Sequence, residues 1–173
     1  MLDMMLWIFV GLELIGMTLF VCNYKSNIKM LNRRLDNDSM FYLSEFAYDL
    51  HRLACDDMNI DPDINITIYE LANDVLGTTI SNNMTRQSEK IVVNPNQTIE
   101  EFIDTVLHET RHVYQSIVTP ELIFDTEYIS STEDMNKYLA QDIEVDARDY
   151  AVKAMKKYRR RLMRMVRRYH KQR

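Results

Sequence analysis

Glycine and proline are scarce in this chain, with three of each in 173 residues. Because these residues form many tight turns, their scarcity predicts a helix-rich protein with few such turns. Cysteine is scarce as well, and Cys22 and Cys55 cannot build a disulfide framework, which suits a reducing compartment. Internal repeats and low-complexity tracts are absent, and the length predicts one compact domain with appended segments.

The N-terminus lacks the marks of a cleaved secretory signal. Asp3 occupies the place of a basic segment, and no small-residue cleavage site follows. Residues 4–21 form a run with a single charge, Glu13, and this length predicts a retained transmembrane anchor within residues 1–24. Residues 19–22 faintly resemble a bacterial lipobox, which leaves a secreted or lipid-modified protein as an alternative.

Basic residues follow the apolar run and set its predicted orientation. They are Lys25, Lys29, Arg33 and Arg34, in a linker predicted over residues 25–38. Nothing basic but the terminus precedes the run. The positive-inside rule therefore predicts a single-pass membrane protein whose body lies in the cytoplasm.

The C-terminal end lacks acidic side chains. Residues 150–173 hold eleven of the 21 Lys/Arg residues and none of the 26 Asp/Glu residues. The net charge of −5 therefore hides an acidic body and a basic end, a split that predicts a polyanionic neighbour for a tail at residues 159–173. Anionic lipid headgroups are the preferred partner, given the predicted anchor. Nucleic acid is the rival, less favoured because no nucleic-acid module accompanies the tail.

Between linker and tail, residues 39–158 show helix and strand patterns that predict an α+β domain. Asp38 or Ser39 can cap a first helix that ends near Asp57. His51 lies on this helix and is interpreted as a packed or surface residue. Short β-like runs follow and predict a small antiparallel sheet or meander of three strands. These runs are Ile64–Tyr69, Gly77–Ser81 and Lys90–Asn94.

Two further helices are predicted on either side of a polar loop. Thr98 opens the first with a capping-box pattern, and Pro120 ends it. The loop runs from residue 119 to 132, and Ser131 with Asp134 can cap a last long helix. The first of the two helices carries the most informative motif in the chain.

That motif is His108-Glu109-Thr110-Arg111-His112, the H-E-x-x-H pattern of zinc hydrolases. His108 and His112 are four residues apart on a helix, so both side chains project from one face and can bind one metal ion. Glu109 beside them can accept a proton from a metal-bound water. An apolar stripe runs along the opposite side, so the histidines are expected to face a cleft or solvent. The stripe comprises Ile99, Phe102, Ile103, Val106, Val113 and Ile117.

A catalytic zinc site uses three protein ligands and leaves a position for water. The last helix offers carboxylates at Glu144, Asp146 and Asp149 for the third ligand. Their segment, Glu144-Val-Asp-Ala-Arg-Asp-Tyr-Ala151, resembles the E-x-E/D-A-N/D-x-F-A segment of minimal gluzincin-type metallopeptidases. The ImmA/IrrE-like group and, more distantly, the HtpX-type membrane proteases carry that segment. A strand ending in Val93-Asn94 ahead of the motif helix is also similar to the ImmA/IrrE arrangement.

The resemblance implies that Glu144 is the third ligand, with Asp146 as the alternative. The chain departs from the family at Arg148, where relatives usually have Asp or Asn, a residue that often supports a ligand histidine. An arginine cannot accept the hydrogen bond that such a histidine donates. Asp149, Asp146 or a backbone carbonyl is therefore expected to replace it.

The resemblance further implies one catalytic Zn²⁺ and hydrolysis of peptide bonds in a protein or peptide substrate. The implied fold is a zincin-like domain in which the active-site helix and a long C-terminal helix pack on the small sheet. Tyr128, Tyr138 and Arg148 are candidates for stabilising the oxyanion, and the strand Ile91–Asn94 is expected to bind substrate by edge pairing. Because of the departure at Arg148, the alternative is a catalytically weak or inactive membrane interaction protein on the same scaffold.

Overall fold

The computed structural model describes residues 29–34, 40–72 and 75–172. Its elements are α1 (Met40–Met58), β1 (Asn65–Ile68), β2 (Gly77–Asn82), β3 (Gln87–Val93), α2 (Ile99–Val118), α3 (Pro120–Phe124), α4 (Met135–Ala140), α5 (Asp142–Lys157) and α6 (Arg159–Gln172). Helices around a three-stranded sheet confirm the predicted α+β class. The predicted anchor, residues 4–21, lies outside the described ranges. None of the helices within those ranges combines the length and hydropathy that crossing a bilayer requires.

The sheet has the strand order β1-β3-β2, and β3 runs parallel to β1 and antiparallel to β2. The predicted all-antiparallel arrangement is therefore wrong for β1, because β3 lies between β1 and β2 and pairs in parallel with β1. Asn94, the residue after β3, is hydrogen-bonded to the segment that leads into β2. Its backbone N–H donates to Leu76 O at 2.8 Å, and its side-chain amide donates to Val75 O at 3.0 Å. The continuous buried run Ile91–Val93 is typical of a strand in the middle of a sheet.

Helix α1 keeps nearly the predicted bounds. Asn59 follows its last residue with φ of 54°, the left-handed conformation in which asparagine often ends a helix. His51 is buried on this helix, and its Nδ1 lies 2.9 Å from Oγ1 of Thr110 on α2. The histidine is thus a packed residue in the interface between α1 and α2.

Helix α2 carries the H-E-x-x-H motif and contacts the sheet, α1 and α5. The predicted capping box forms: Oγ1 of Thr98 accepts from Glu101 N at 3.2 Å, and Oε2 of Glu101 accepts from Thr98 N at 2.7 Å. The apolar stripe is buried except at Ile117, which is 48% exposed. Each fully buried large apolar side chain contributes about 1.5–3 kcal/mol. The stripe therefore fixes the rotation of α2 and, with it, the direction of the two histidines.

The connection after α2 is more ordered than the predicted polar loop. Pro120 follows Thr119, the C-cap of α2, as expected, but it also begins the short helix α3. Proline is favourable there because the first position of a helix has no use for a backbone N–H.

The single long helix predicted from Asp134 is three helices in the structure. Asp134 caps α4 by accepting two backbone N–H groups. Extended backbone at Gln141 separates α4 from α5, and a turn at Tyr158 separates α5 from α6. The side chain of Gln141 bonds both backbone groups of Ile129, each at 2.9 Å. These hydrogen bonds hold Ile129, in the loop before α4, next to the start of α5.

Residues 159–172, predicted as part of a basic tail, form α6 and belong to the domain. One side of this helix is buried, at Leu162, Met163, Met165, Val166 and Tyr169. Tyr169 stacks on Phe46 of α1, which stacks on Phe102 of α2, with ring centroids 5.5 and 5.8 Å apart. The apolar residues between the arginines anchor the helix to the core, so the domain extends past residue 158.

Candidate metal centre

Three side chains from two helices converge at one point. His108 and His112 project from α2, and Glu144 reaches them from the first turn of α5. The two Nε2 atoms are 3.0 Å apart; Oε2 of Glu144 lies 3.3 Å from His108 Nε2, and Oε1 of Glu144 lies 3.5 Å from His112 Nε2. A tetrahedral zinc ion with ligands at about 2.0–2.1 Å separates those ligands by about 3.3 Å. The spacing is therefore compatible with three ligands of one metal ion.

The charge of Glu144 supports the same conclusion. The residue is 1% exposed, and its Oε2 accepts no hydrogen bond from the described part of the chain. Burial by itself raises the pKa of this carboxyl, but the imidazoles, when their Nε2 atoms carry protons, outweigh burial and hold the pKa below its ordinary value. A buried, ionised carboxylate oxygen without a donor is costly, and a bound cation would satisfy it.

Gln115 orients the second histidine. Nδ1 of His112 lies 2.8 Å from Oε1 of Gln115, and the Gln115 amide nitrogen donates to Ile143 O at 2.9 Å and to Asp146 Oδ2 at 2.8 Å. These two acceptors identify the nitrogen of the amide, so its oxygen faces His112 and must accept the proton on Nδ1. Nε2 then keeps its lone pair for a metal ion.

Asp146 lies outside the ligand group. Arg111 binds it through two hydrogen bonds, Nε to Oδ2 at 2.7 Å and Nη2 to Oδ1 at 3.1 Å. The Arg111 guanidinium is itself held over the ring of Tyr114, 4.2 Å from its centroid. Asp146, the alternative third ligand, therefore reaches His112 through Gln115, whose amide oxygen stands in the place of the acceptor expected from Asp149, Asp146 or a backbone carbonyl.

The structure does not place Arg148 and Asp149 with the ligands. Arg148 donates from Nη2 to the carbonyl oxygen of Leu139 and so joins α5 to α4. Asp149 is exposed and pairs with Lys153 at 3.4 Å, one turn further along α5. Neither contact reaches the histidines, so the oxyanion role considered for Arg148 and the supporting role considered for Asp149 have no geometric basis here.

Two tyrosine hydroxyls contact the carboxylate of Glu144. Tyr128 donates to Oε1 of Glu144 at 3.3 Å, and its ring packs edge-to-face on Tyr138 at 6.3 Å. Burial is the largest cause that raises the pKa of each phenol, and the carboxylate of Glu144 adds to it. Both hydroxyls therefore stay protonated and remain hydrogen-bond donors beside the metal-binding atoms.

Glu109 is 6% exposed and is positioned by β2. The hydroxyl of Thr79 lies 2.8 Å from Oε2 of Glu109 and 3.1 Å from its carbonyl oxygen. Gly77, two residues earlier on the same strand, leaves the space that Glu109 fills. A Cβ at that position would lie 3.1 Å from Glu109 Cγ and 2.4 Å from Cγ2 of Thr105.

A cavity of about 240 Å³ opens over these groups. The residues that line it include Gly77, Thr78 and Thr79 from β2, together with Glu109, His112, Tyr128, Tyr138 and Glu144. The expected substrate strand, Ile91–Asn94, largely coincides with β3, whose two edges are already paired with β1 and β2. That expectation is wrong, and the edge strand beside the cavity is β2.

No protein-family model, curated protein or solved structure matches this chain. The centre is therefore interpreted from its own geometry.

Sequence reasoning missed three residues of this centre: Gln115, Thr79 and Gly77. Gln115 follows His112 by three residues, a helical spacing that places it one turn away. That signal could have identified it. Gly77 and Thr79 carried no such signal, because only the strand order brings β2 against α2.

Proposed function

We propose that the domain is a zinc-dependent metallopeptidase of the gluzincin type that hydrolyses peptide bonds. The observation that carries the proposal is the convergence of His108, His112 and Glu144 at tetrahedral spacing with Glu109 beside them. Two imidazoles and a carboxylate are a donor set typical of catalytic zinc. Zinc held by them would supply a Lewis acid that activates water and polarises the scissile carbonyl.

The residues around the ligands have the chemistry that the reaction needs. Glu109 would accept the proton of the attacking water and return it to the leaving amine. Thr79 holds Oε2 of Glu109 in place, which leaves Oε1 for that exchange. The protonated hydroxyls of Tyr128 and Tyr138 are the donors available to the oxyanion of the tetrahedral intermediate.

The peptide substrate is proposed to lie along β2. This strand is at the edge of the sheet and also lines the cavity, so a peptide paired with it would pass over Glu109 and His112. Edge pairing binds the substrate through its backbone and is compatible with many sequences. Side-chain selectivity would then fall to the loop that carries Tyr128.

Hydrolysis of a mixed library of quenched fluorescent peptides by the full chain tests this proposal. We expect zinc-dependent cleavage that Glu109→Gln lowers by about 10²–10⁴-fold while bound zinc is retained. Glu45→Gln, on the exposed side of α1 and away from the cavity, is the matched control and should keep full activity. Equal cleavage by the Glu109→Gln variant and the wild type would rule out a catalytic role. A zinc-bound wild type without activity would favour the alternative, an interaction protein on this scaffold.

A further inference from the structure

Three serine hydroxyls connect the interior of α2 to the cavity at the metal centre. Oγ of Ser116 on α2 lies 2.7 Å from the carbonyl oxygen of Val113, and Oγ of Ser88 on β3 lies 2.9 Å from Oγ of Ser116. Oγ of Ser81 on β2 lies 3.1 Å from Oγ of Ser88. Ser116 is buried, whereas Ser81 lines the cavity. These three side chains, which we call the serine row, lead from a buried carbonyl to the proposed substrate site.

The carbonyl at the buried end fixes the direction of every hydrogen bond in the serine row. A serine hydroxyl has one proton to donate, and a carbonyl oxygen can only accept. The proton of Ser116 therefore lies on its contact with Val113. Ser116 can then only accept from Ser88, and Ser88, whose proton is used, can only accept from Ser81. All three protons point away from the cavity, so Ser81 presents lone pairs to it.

A register shift in the sheet brings the two strand serines together. Ile80 pairs with Lys90, so an unbroken register would place Glu89 opposite Ser81. The shift after Ile80 places Ser88 there instead. Irregularities of this kind change the direction of side chains and often occur next to active sites. Glu89 is left exposed, and a hydroxyl rather than a carboxylate lies next to Ser81.

Other donors in the cavity are directed elsewhere. Thr79, two residues before Ser81 and on the same face of β2, donates to Glu109 at 2.8 Å. The two tyrosine hydroxyls contact the carboxylate of Glu144. Thr78 also lines the cavity, but three residues along a strand place side chains on opposite faces. The described residues that line the cavity include no lysine or arginine, so Ser81 marks a subsite that offers an acceptor without a nearby cation.

We propose that Ser81 is a specificity residue that accepts a hydrogen bond from a donor-bearing substrate side chain, such as an amide, and rejects an acidic one. The inference rests on the proposed peptidase function and on pairing of the substrate with β2. Paired residues on neighbouring strands share a face, and two strand residues span roughly 7 Å. The selected side chain is therefore two residues along the substrate from the one over Glu109. An aspartate there would bring two acceptors together with no proton between them.

Quenched fluorescent peptide libraries that carry Asn or Asp at one position at a time test the proposal on the full chain, in about 0.3 M salt to screen general charge repulsion. At one position we expect kcat/KM to be at least about tenfold higher for Asn. Ser81→Ala should lower this Asn-to-Asp ratio about three- to tenfold. Ser88→Ala frees the proton of Ser81 to donate into the cavity, so the ratio should fall there as well. Thr67→Val, on the opposite edge strand β1, is the matched control and should keep the wild-type ratio.

Binding of singly labelled versions of the same peptides to Glu109→Gln, measured by fluorescence anisotropy with and without each serine substitution, separates this inference from the proposed function. A serine-dependent Asn preference in binding, without hydrolysis by the wild type, would refute the peptidase and support the role of Ser81. Hydrolysis with a ratio that Ser81→Ala leaves unchanged at every position would overturn this inference alone. A ratio lost in Ser81→Ala but kept in a folded Ser88→Ala variant would also overturn it, and the absence of both binding and hydrolysis would overturn both proposals.

Discussion

Gln115 accepts a hydrogen bond from Nδ1 of His112 at 2.8 Å, and this contact determines which nitrogen of the imidazole is free for a metal. Gln115→Leu removes the acceptor with little change in volume. We expect zinc affinity to fall by about 10–100-fold, the usual effect of removing such a supporting partner. Competition with a chromophoric chelator measures it. Gln87→Leu, on the exposed start of β3, is the control, and an unchanged affinity in Gln115→Leu would refute the role.

The contact between Thr79 and Glu109 predicts a different defect. Thr79→Val is nearly isosteric but cannot donate to Oε2, so Glu109 loses its fixed orientation. A hydrogen bond to a charged group contributes about 1.5–3 kcal/mol, and we expect kcat/KM for peptide cleavage to fall about tenfold or more with zinc content unchanged. Thr79→Ser keeps the hydroxyl and should retain most of the activity. A serine variant as defective as the valine variant would point to packing instead.

Gly77 is required by space rather than by backbone conformation. The added methyl group of Gly77→Ala would meet Cγ2 of Thr105 at 2.4 Å, and we expect the free energy of unfolding to fall by about 1–3 kcal/mol. Thr105→Ser removes that methyl group but keeps the hydroxyl that donates to Gln97. The double variant should therefore recover stability in urea denaturation. We expect low peptidase activity in both the single and the double variant, because the added methyl group still contacts Glu109. If the double variant recovered activity as well as stability, the contact with Glu109 would not affect catalysis.

His51 predicts a pH dependence of stability that is separate from the site. Burial lowers its pKa from 6.5 to about 4. Between these values the unfolded chain binds a proton that the folded chain excludes. Stability from the neutral imidazole is thus fully present above pH 6.5 and declines toward pH 4, by up to about 1.4 kcal/mol per pH unit.

Urea denaturation between pH 7 and 4.5 checks this prediction, with the wild type beside His51→Gln. Gln can still donate to Thr110, the partner of the histidine on α2. The wild type should lose stability faster than the variant as pH falls. Parallel curves would contradict the assignment of a neutral buried imidazole.

Local patterns in the sequence predicted the parts of the centre that lie on one helix. The capping box at Thr98, the apolar stripe of α2 and the pairing of His108 with His112 all depend on spacings of three or four residues, which a helix converts directly into geometry. Glu144 needed the resemblance to gluzincins, since spacing alone did not distinguish it from Asp146. The structure distinguishes the two, because Asp146 accepts a hydrogen bond from Arg111 and Glu144 lies beside the histidines.

Long-range pairing and weak helix breaks could not be predicted. No local signal indicates that β3 inserts between β1 and β2, so Thr79 and Gly77 were not linked to Glu109. The breaks at Gln141 and Tyr158 contain neither glycine nor proline, and the side-chain bonds of Gln141 to Ile129 hold the first of them. The apolar residues between the arginines of α6 could not be assigned to the core from their spacing alone, and the stacking of Tyr169 on Phe46 shows that they belong to it.

The central claim is that His108, His112 and Glu144 bind one zinc ion. Its most direct test is the zinc content of the full chain after equilibration with Zn²⁺ and removal of loose metal, for the wild type, Glu144→Ala and Asp146→Ala. The account predicts one equivalent in the wild type, a loss in Glu144→Ala, and near-stoichiometric but weaker binding in Asp146→Ala. Circular dichroism identifies any variant that fails to fold. A folded Glu144→Ala variant that keeps one tightly bound zinc, or a folded wild type that binds none, would contradict it.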